Sequence, residues 1–106
     1  MPNSHIVAIT TTDSEEAAEA LADGLVSNRL AACVQISSPI KSVYRWEGDV
    51  QRDAEWQLWI KTTSDRLDAV TAWLDEHHSY DVPELVAFPV VGGHPAYLKW
   101  VTNETR

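Results

Sequence analysis

The chain has 106 residues, which is enough for one domain covering residues 1–106 and too few for two. Its content of 44% apolar and 23% charged residues is ordinary for a globular protein and excludes intrinsic disorder as the expected state. The formal net charge of −8 disfavours nucleic acid as a partner, because a negative surface repels phosphate backbones.

The cysteine count and the apolar runs bear on the compartment. Cys33 is the only cysteine, so no intramolecular disulfide can form and nothing indicates an oxidising environment. No apolar run approaches the roughly 18–20 residues that cross a bilayer, and the first residues do not resemble a signal peptide. We therefore expect a cytoplasmic protein without membrane contact.

The first third of the chain predicts a strand, a helix and a second strand. Residues 6–9 form a short apolar run that is typical of a buried strand. Residues 10–13 supply N-cap side chains, and Glu16, three residues after Asp13, completes a predicted capping box for a helix with apolar residues at helical spacing. Alternating residues from Ala32 to Ile36 then predict a strand.

The middle of the chain predicts a long hairpin. Pro39 interrupts the strand pattern and, lacking an N–H group, indicates a bulge or an edge position. The strand resumes at residues 43–46, turns at residues 47–49 and returns to residue 62. On the return arm Trp56, Leu58 and Ile60 fall on one face and Trp59 falls on the other.

The last part of the chain predicts a helix, a strand and a terminal helix. Residues 62–65 open the helix, and His77 is in step with its apolar residues, so we expect it to pack. Residues 85–91 predict the last strand and residues 95–101 a short helix with Pro95 in its first turn. The order β-α-β-β-α-β, built from two similar halves, predicts an α+β ferredoxin-like split βαβ fold with both helices on one face of the sheet.

The hairpin also predicts self-association. It is longer than a small four-stranded sheet can pair, and its arms carry Tyr44, Trp46, Trp56 and Trp59. A monomer would expose a large apolar surface and an open strand edge. We predict an oligomer with these four residues at its interface; the alternative is a hairpin folded back onto its own sheet.

Four stretches, in order along nearly the whole chain, resemble the CutA family of divalent-cation tolerance proteins. They are residues 29–36 (RLAACVQI), residues 44–48 (YRWEG) with Glu55 and residues 60–62 (IKT) after them, residues 78–84 (HSYDVPE), and residues 97–101 (YLKWV). The resemblance implies a ferredoxin-like fold assembled through the hairpins as a homotrimer, similar in shape to the nitrogen-signalling PII proteins. It also implies a link to copper and other divalent cations.

Candidate metal ligands follow from chemistry, since copper and zinc favour imidazole and thiolate ligands completed by carboxylates. The sequence offers Cys33, His78, Glu55 and Glu84. His77 is excluded as a partner of His78, because adjacent helical side chains diverge by roughly 100°. Cys33 is alternatively an inert buried thiol. No short metal-binding motif is present, so only the tertiary fold or a neighbouring subunit could bring Cys33 to His78.

Two functions remain in view. The first is a non-catalytic homotrimer of divalent-cation tolerance that binds metal ions, with Cu(II) as the candidate ion and no required cofactor. The alternative is a PII-like small-molecule sensor with an inter-subunit pocket lined by Lys61, Tyr80 and Trp100, together with Glu84. An enzyme is disfavoured, because no oxyanion donor or orienting third group accompanies Cys33 and His78.

Overall fold

The computed structural model describes residues 4–106, so residues 1–3 of the predicted domain lie outside the described residues. The elements in chain order are β1 (His5–Thr12), α1 (Glu15–Ser27), β2 (Cys33–Ile36), β3 (Ile40–Trp46), β4 (Asp49–Thr63), α2 (Leu67–His77), β5 (Val86–Pro89) and α3 (Pro95–Glu104). The predicted order of elements is confirmed. The predicted second strand is divided into β2 and β3 by residues 37–39, where Pro39 interrupts the pattern.

The sheet is antiparallel, with strand order β2-β4-β1-β5, and β3 pairs with the first part of β4. Residues 56–63 of β4 pair with β1, whereas residues 49–55 pair with β3 alone. The hairpin therefore projects beyond the four-stranded sheet as a two-stranded ribbon. The molecule is accordingly elongated, with principal extents of 44 × 25 × 24 Å.

The core lies between the sheet and the two helices α1 and α2. Leu58 and Ile60 of β4 are fully buried against apolar residues of both helices, among them Leu25 of α1 and Leu74 of α2. Each such side chain contributes about 1.5–3 kcal/mol by leaving water. The prediction that His77 packs in this core is wrong, because α2 ends at His77 and its ring lies exposed, stacked on Trp73.

The helix α1 begins one residue later than predicted. Ser14, in an extended conformation, is the N-cap, and its side-chain oxygen accepts a hydrogen bond from the backbone N–H of Ala17 at 3.1 Å. The predicted capping box from Asp13 to Glu16 is therefore wrong by one position. At its other end, α1 closes with Arg29 in the left-handed region and the Leu30 N–H bonded to the Leu25 carbonyl, as in a Schellman motif.

The tip of the hairpin is a two-residue turn. Trp46 and Asp49 pair directly, and the two residues between them, Glu47 and Gly48, have φ angles of 49° and 86°. Two positive φ angles in a two-residue loop match a type I′ turn, whose twist suits an antiparallel hairpin. The predicted turn at residues 47–49 is confirmed.

The face of the sheet opposite α1 and α2 is called the outer face here. It carries an apolar patch of Val7, Ile9, Trp59, Val86 and Phe88, because Ile9 pairs with both Trp59 and Val86, and Val7 pairs with Phe88. Trp59 is 41% exposed and Phe88 is 53% exposed. The predicted separation of Trp59 from Leu58 and Ile60 is confirmed.

The helix α3 contacts the start of β1 and the end of β4. His5 of β1 lies 2.8 Å through Nε2 from the Leu98 carbonyl and 2.9 Å from the Thr102 hydroxyl. The helix extends to Glu104, three residues beyond the predicted end. No helix within residues 4–106 has both the length and the apolar character needed to cross a membrane.

Candidate functional site

His78 fixes the loop that follows α2. Its Nε2 atom donates to the Thr11 carbonyl oxygen at 2.8 Å, and its Nδ1 atom accepts the backbone N–H of Tyr80 at 3.1 Å. This pattern requires the neutral ring with its proton on Nε2, since a carbonyl only accepts and an N–H only donates. The side chain is 9% exposed. A metal ion could therefore bind His78 only by displacing one of these two hydrogen bonds.

Tyr80 connects the same loop to β4. Its hydroxyl group donates to Glu55 Oε2 at 2.8 Å, and the Glu55 side chain is buried. Burial of the phenol, followed by the effect of the Glu55 carboxylate, raises the pKa of Tyr80 far above its usual value. Tyr80 consequently stays protonated at neutral pH and remains a hydrogen-bond donor.

Glu84 reaches the same region from the end of the loop. Its Oε1 atom accepts the Thr11 hydroxyl at 3.3 Å, and the backbone of Thr11 accepts from His78. The fold thus gathers His78, Glu55 and Glu84 around Thr11 and Tyr80. Three of the four predicted metal ligands therefore share one region of the protomer.

A cavity of about 600 Å³ opens in this region, between the loop, the hairpin and β1. Its lining comprises Thr11, Ser42, Val43, Tyr44, Trp46, Glu55, Tyr80, Asp81, Val82, Pro83 and Glu84. On its hairpin side the Tyr44 hydroxyl donates to Asp53, and this hydrogen bond raises the pKa of Tyr44. The lining of the cavity includes three aromatic rings and three carboxylates. The rings are those of Tyr44, Trp46 and Tyr80, and the carboxylates are those of Glu55, Asp81 and Glu84.

Cys33 lies elsewhere in the protomer. It pairs with Lys61 across β2 and β4, and Lys61 is six residues along β4 from Glu55, roughly 20 Å at the rise of a strand. Within residues 4–106, no three His, Cys, Asp or Glu side chains are grouped to hold a metal ion. The four predicted ligands therefore do not form one centre within a protomer, and a site shared between subunits stays a prediction.

The predicted pocket residues also separate within one protomer. Tyr80 lines the 600 Å³ cavity, whereas Lys61 lines a smaller one of about 220 Å³ next to α3 and donates to Gln35 at 2.8 Å. Trp100 is partly exposed, with its ring centroid 5.6 Å from that of Tyr97. Their meeting at an inter-subunit pocket remains a prediction.

Thr11 is the residue of this region that sequence reasoning missed. Its hydroxyl and its carbonyl oxygen hold Glu84 and His78, respectively. The only local signal was its position in β1 on the same side as Ile9, two residues away, which places it on the outer face. A threonine within a threonine-rich strand otherwise gives no indication of such a role.

The comparison with known families decides the classification. Residues 6–104 match the family model described as CutA1 divalent ion tolerance protein. The chain belongs to this family. The resemblance drawn from the four sequence stretches is therefore confirmed, and the ferredoxin-like fold is the one shared by solved CutA1 structures.

Individual relatives agree with this assignment. The rice protein named "Protein CutA 1, chloroplastic" is 50% identical over 101 residues, which cover 95% of this chain and 57% of the relative, so the chain spans little more than half of that protein. The "Divalent-cation tolerance protein CutA" of Thermus thermophilus is 41% identical over 99 residues, covering 93% of this chain and 96% of the relative. The crystal structure of CutA1 from Oryza sativa superposes with a TM-score of 0.94 at 48% identity, covering 97% of this chain and 94% of that chain.

Proposed function

We propose that this protein is a non-catalytic divalent-cation tolerance protein that works as a homotrimer in the cytoplasm. Membership of the CutA1 family supports the tolerance function, and a relative of 41% identity carries that function in its name. The family assignment is the observation that carries the proposal. The proposal includes no required cofactor.

The projecting hairpin supports the assembly. Residues 49–55 of β4 have β3 as their only partner strand within the described chain, and an isolated two-stranded ribbon is at best marginally stable in water. The tip of this ribbon carries Tyr44 and Trp46, both more than 40% exposed. A second and third copy of the chain would bury this surface and provide the missing contacts.

The outer face supports the same conclusion. Its patch around Trp59 and Phe88 is continuous across three strands, and large contiguous apolar surfaces mark interfaces more often than free surface. Trp56, the fourth predicted interface residue, points to the opposite side and is half-buried against the core of its own protomer. We therefore assign Trp56 mainly to the protomer and Tyr44, Trp46 and Trp59 to the interface.

Divalent-ion binding is proposed at surfaces shared between protomers. The hydrogen bonds that engage His78 and the distance of Cys33 from Glu55 argue against a preformed copper site in one protomer. Cys33 lies on β2, an edge strand of the sheet, and its side chain is half-buried. We propose that it binds Cu(II) together with groups from a neighbouring copy.

Native mass spectrometry during a Cu(II) titration tests both parts of this proposal. We expect a mass of three chains and a whole-number uptake of ions per trimer. Cys33→Ser should reduce that uptake, whereas His94→Asn should not, since asparagine can replace His94 as the N-cap of α3. A monomeric mass would contradict the assembly. Equal uptake by wild type and Cys33→Ser would remove Cys33 as a ligand.

A PII-like sensor is the second candidate function. It is favoured by the position of Lys61 and Tyr80, which each line a concave surface that another copy could close. A ligand that binds only the native protein raises the melting temperature. Stabilisation by ATP, used as an anionic probe, without any response to Cu(II) would favour the sensor, and the reverse result would favour cation tolerance.

A further inference from the structure

The cations of the hairpin share one of its two sides. Lys41 and Arg45 are four residues apart on β3, so their side chains point to the same side of that strand. Arg52 of β4 pairs with Val43, which lies midway between them, and directly paired residues share a side. This side of the hairpin is called the basic side here. Its three cations are exposed, and none of them takes part in the two ion pairs found within residues 4–106.

The opposite side of the hairpin is acidic. Trp46 pairs with Asp49, so the odd-numbered residues of β4 in the range 49–55 lie on the same side as the even-numbered residues of β3. All the carboxylates of the paired segments lie there, those of Asp49, Asp53 and Glu55. This side borders the 600 Å³ cavity, whose lining adds Asp81 and Glu84 and includes no lysine, arginine or histidine. Each protomer thus presents a basic surface and an acidic concave surface.

The basic side also exposes apolar groups. Val43 and Val50 lie on it and are 54% and 56% exposed, and Val50 pairs with Arg45. The cavity has the complementary chemistry, because its lining sets the rings of Tyr44 and Trp46 beside carboxylates, and aromatic rings attract cations as well as apolar groups. The two surfaces therefore match in charge and in apolar character.

A second copy of the chain is the partner that these surfaces favour. With 16 acidic and 8 basic residues, each copy is an acidic partner for an exposed basic surface. Tyr44 and Trp46 of the cavity belong to the proposed interface, so the group that covers the cavity in the assembly comes from a neighbouring copy. The basic side of the same protomer lies across the hairpin from its own Glu55. A contact between two different surfaces of identical chains is head-to-tail, and such contacts close into rings.

We propose that the basic side of one hairpin occupies the 600 Å³ cavity of the neighbouring protomer around the trimer, with Lys41, Arg45 and Arg52 facing the carboxylates of that cavity. The buried Glu55 carboxylate, whose donor within its own protomer is the neutral Tyr80 hydroxyl, thereby gains a cation. The cavity is incomplete without the second copy. This inference rests on the proposed homotrimer and deepens it, because it names the two surfaces that meet.

Charge reversal on each surface tests the proposal by analytical ultracentrifugation of the full chain. Arg45→Glu with Arg52→Glu, and separately Asp81→Lys with Glu84→Lys, should each weaken association by about tenfold or more, because like charges then meet. The chain that carries all four changes should return to within about threefold of the wild-type association constant, since every contact again joins opposite charges.

Glu19→Lys with Asp23→Lys is the matched control, because it changes the net charge as much as Asp81→Lys with Glu84→Lys does, at exposed positions of α1. It should not weaken association. Reversing the cavity makes the chain less negative, so a general effect of net charge would strengthen association, whereas the proposed contact requires it to weaken. The proposal is overturned if the cavity reversal leaves association unchanged or stronger, or if the four changes together restore nothing. Circular dichroism verifies that each variant is folded.

Carbodiimide cross-linking of the wild-type protein is a second test that needs no variant. The reagent joins an amine to a carboxylate in contact with it. In a trimer reassembled from isotopically labelled and unlabelled chains, we expect Lys41 to be joined to Asp81 or Glu84 of a differently labelled chain. The absence of that product would also overturn the proposal. A wild-type trimer without this contact leaves the homotrimer intact, whereas a monomeric wild-type mass removes both proposals.

Discussion

Tyr80 and Glu55 are 25 residues apart in the chain, yet the Tyr80 hydroxyl donates to the Glu55 carboxylate at 2.8 Å. This contact joins the loop after α2 to the strand β4 at the point where the hairpin leaves the sheet. Burial and the adjacent carboxylate both hold the phenol in its protonated form. The contact therefore contributes to the position of the hairpin and to the shape of the cavity at once.

Replacing Tyr80 should change how stability depends on pH. The pKa of Tyr80 is higher in the folded protein than the usual value near 10, so its contribution is complete below about pH 10 and is lost as the pH rises further. Tyr80→Phe should cost about 1–3 kcal/mol at neutral pH, because the buried Glu55 carboxylate loses the hydroxyl that donates to it. The difference from wild type should shrink above about pH 10. Urea unfolding at a series of pH values measures it, and a constant difference would contradict the assigned cause.

His78 should matter for stability, whereas its neighbour His77 should not. His78→Ala leaves the buried Thr11 carbonyl without its donor and releases the backbone N–H of Tyr80, which should cost about 1–3 kcal/mol. His77→Ala removes an exposed ring from the surface of Trp73 and should stay within about 0.5 kcal/mol. Denaturant unfolding at one fixed protein concentration measures the free energy of unfolding of both variants. Equal losses would show that the His78 hydrogen bonds do not hold the loop.

The two histidines also show where sequence reasoning reaches its limit. Their helical spacing placed His77 with Val70 and Leu74 on the buried side, but α2 ends at His77. The backbone of His78 is already extended, and this change of direction turns its ring toward β1. A shift of one residue in the end of a helix thus reverses which side chain is buried. Sequence patterns do not locate the end of a helix to within a single residue.

The alternation of side chains on β4 between the helix-covered face and the outer face was, in contrast, predictable from the sequence. A strand of 15 residues repeats its two-residue period many times, so Leu58 and Ile60 face the helices and Trp59 faces away whatever the exact ends of the strand. The cavity was not predictable from such a pattern. Its walls come from β1, the hairpin and the loop at residues 80–84, and only the tertiary fold brings these segments together.

Trp59 should contribute more to assembly than an equally exposed apolar residue on the helical side. Trp59→Ala removes the largest side chain of the outer patch. Val26→Ala, on α1, is the control, because Val26 is 42% exposed and Trp59 is 41% exposed. Truncating a central aromatic residue of an interface commonly costs 2 kcal/mol or more, roughly a 30-fold weaker association. Analytical ultracentrifugation over a range of protein concentrations gives the association constant of each variant. An unchanged oligomer for Trp59→Ala would place the interface elsewhere.

Gly48 should be the glycine on which the hairpin depends. Its φ angle of 86° lies in the left-handed region, while the space that a β-carbon would occupy is open, so any penalty of Gly48→Ala comes from the backbone alone. That penalty should be about 1–2 kcal/mol. Gly92→Ala is the matched control, because its surroundings are equally open and its φ angle is not positive. It should be neutral or stabilise by about 0.4–1 kcal/mol through the less flexible unfolded chain. Thermal unfolding of the two variants under identical conditions measures the contrast, and similar melting temperatures would contradict the type I′ assignment of the turn.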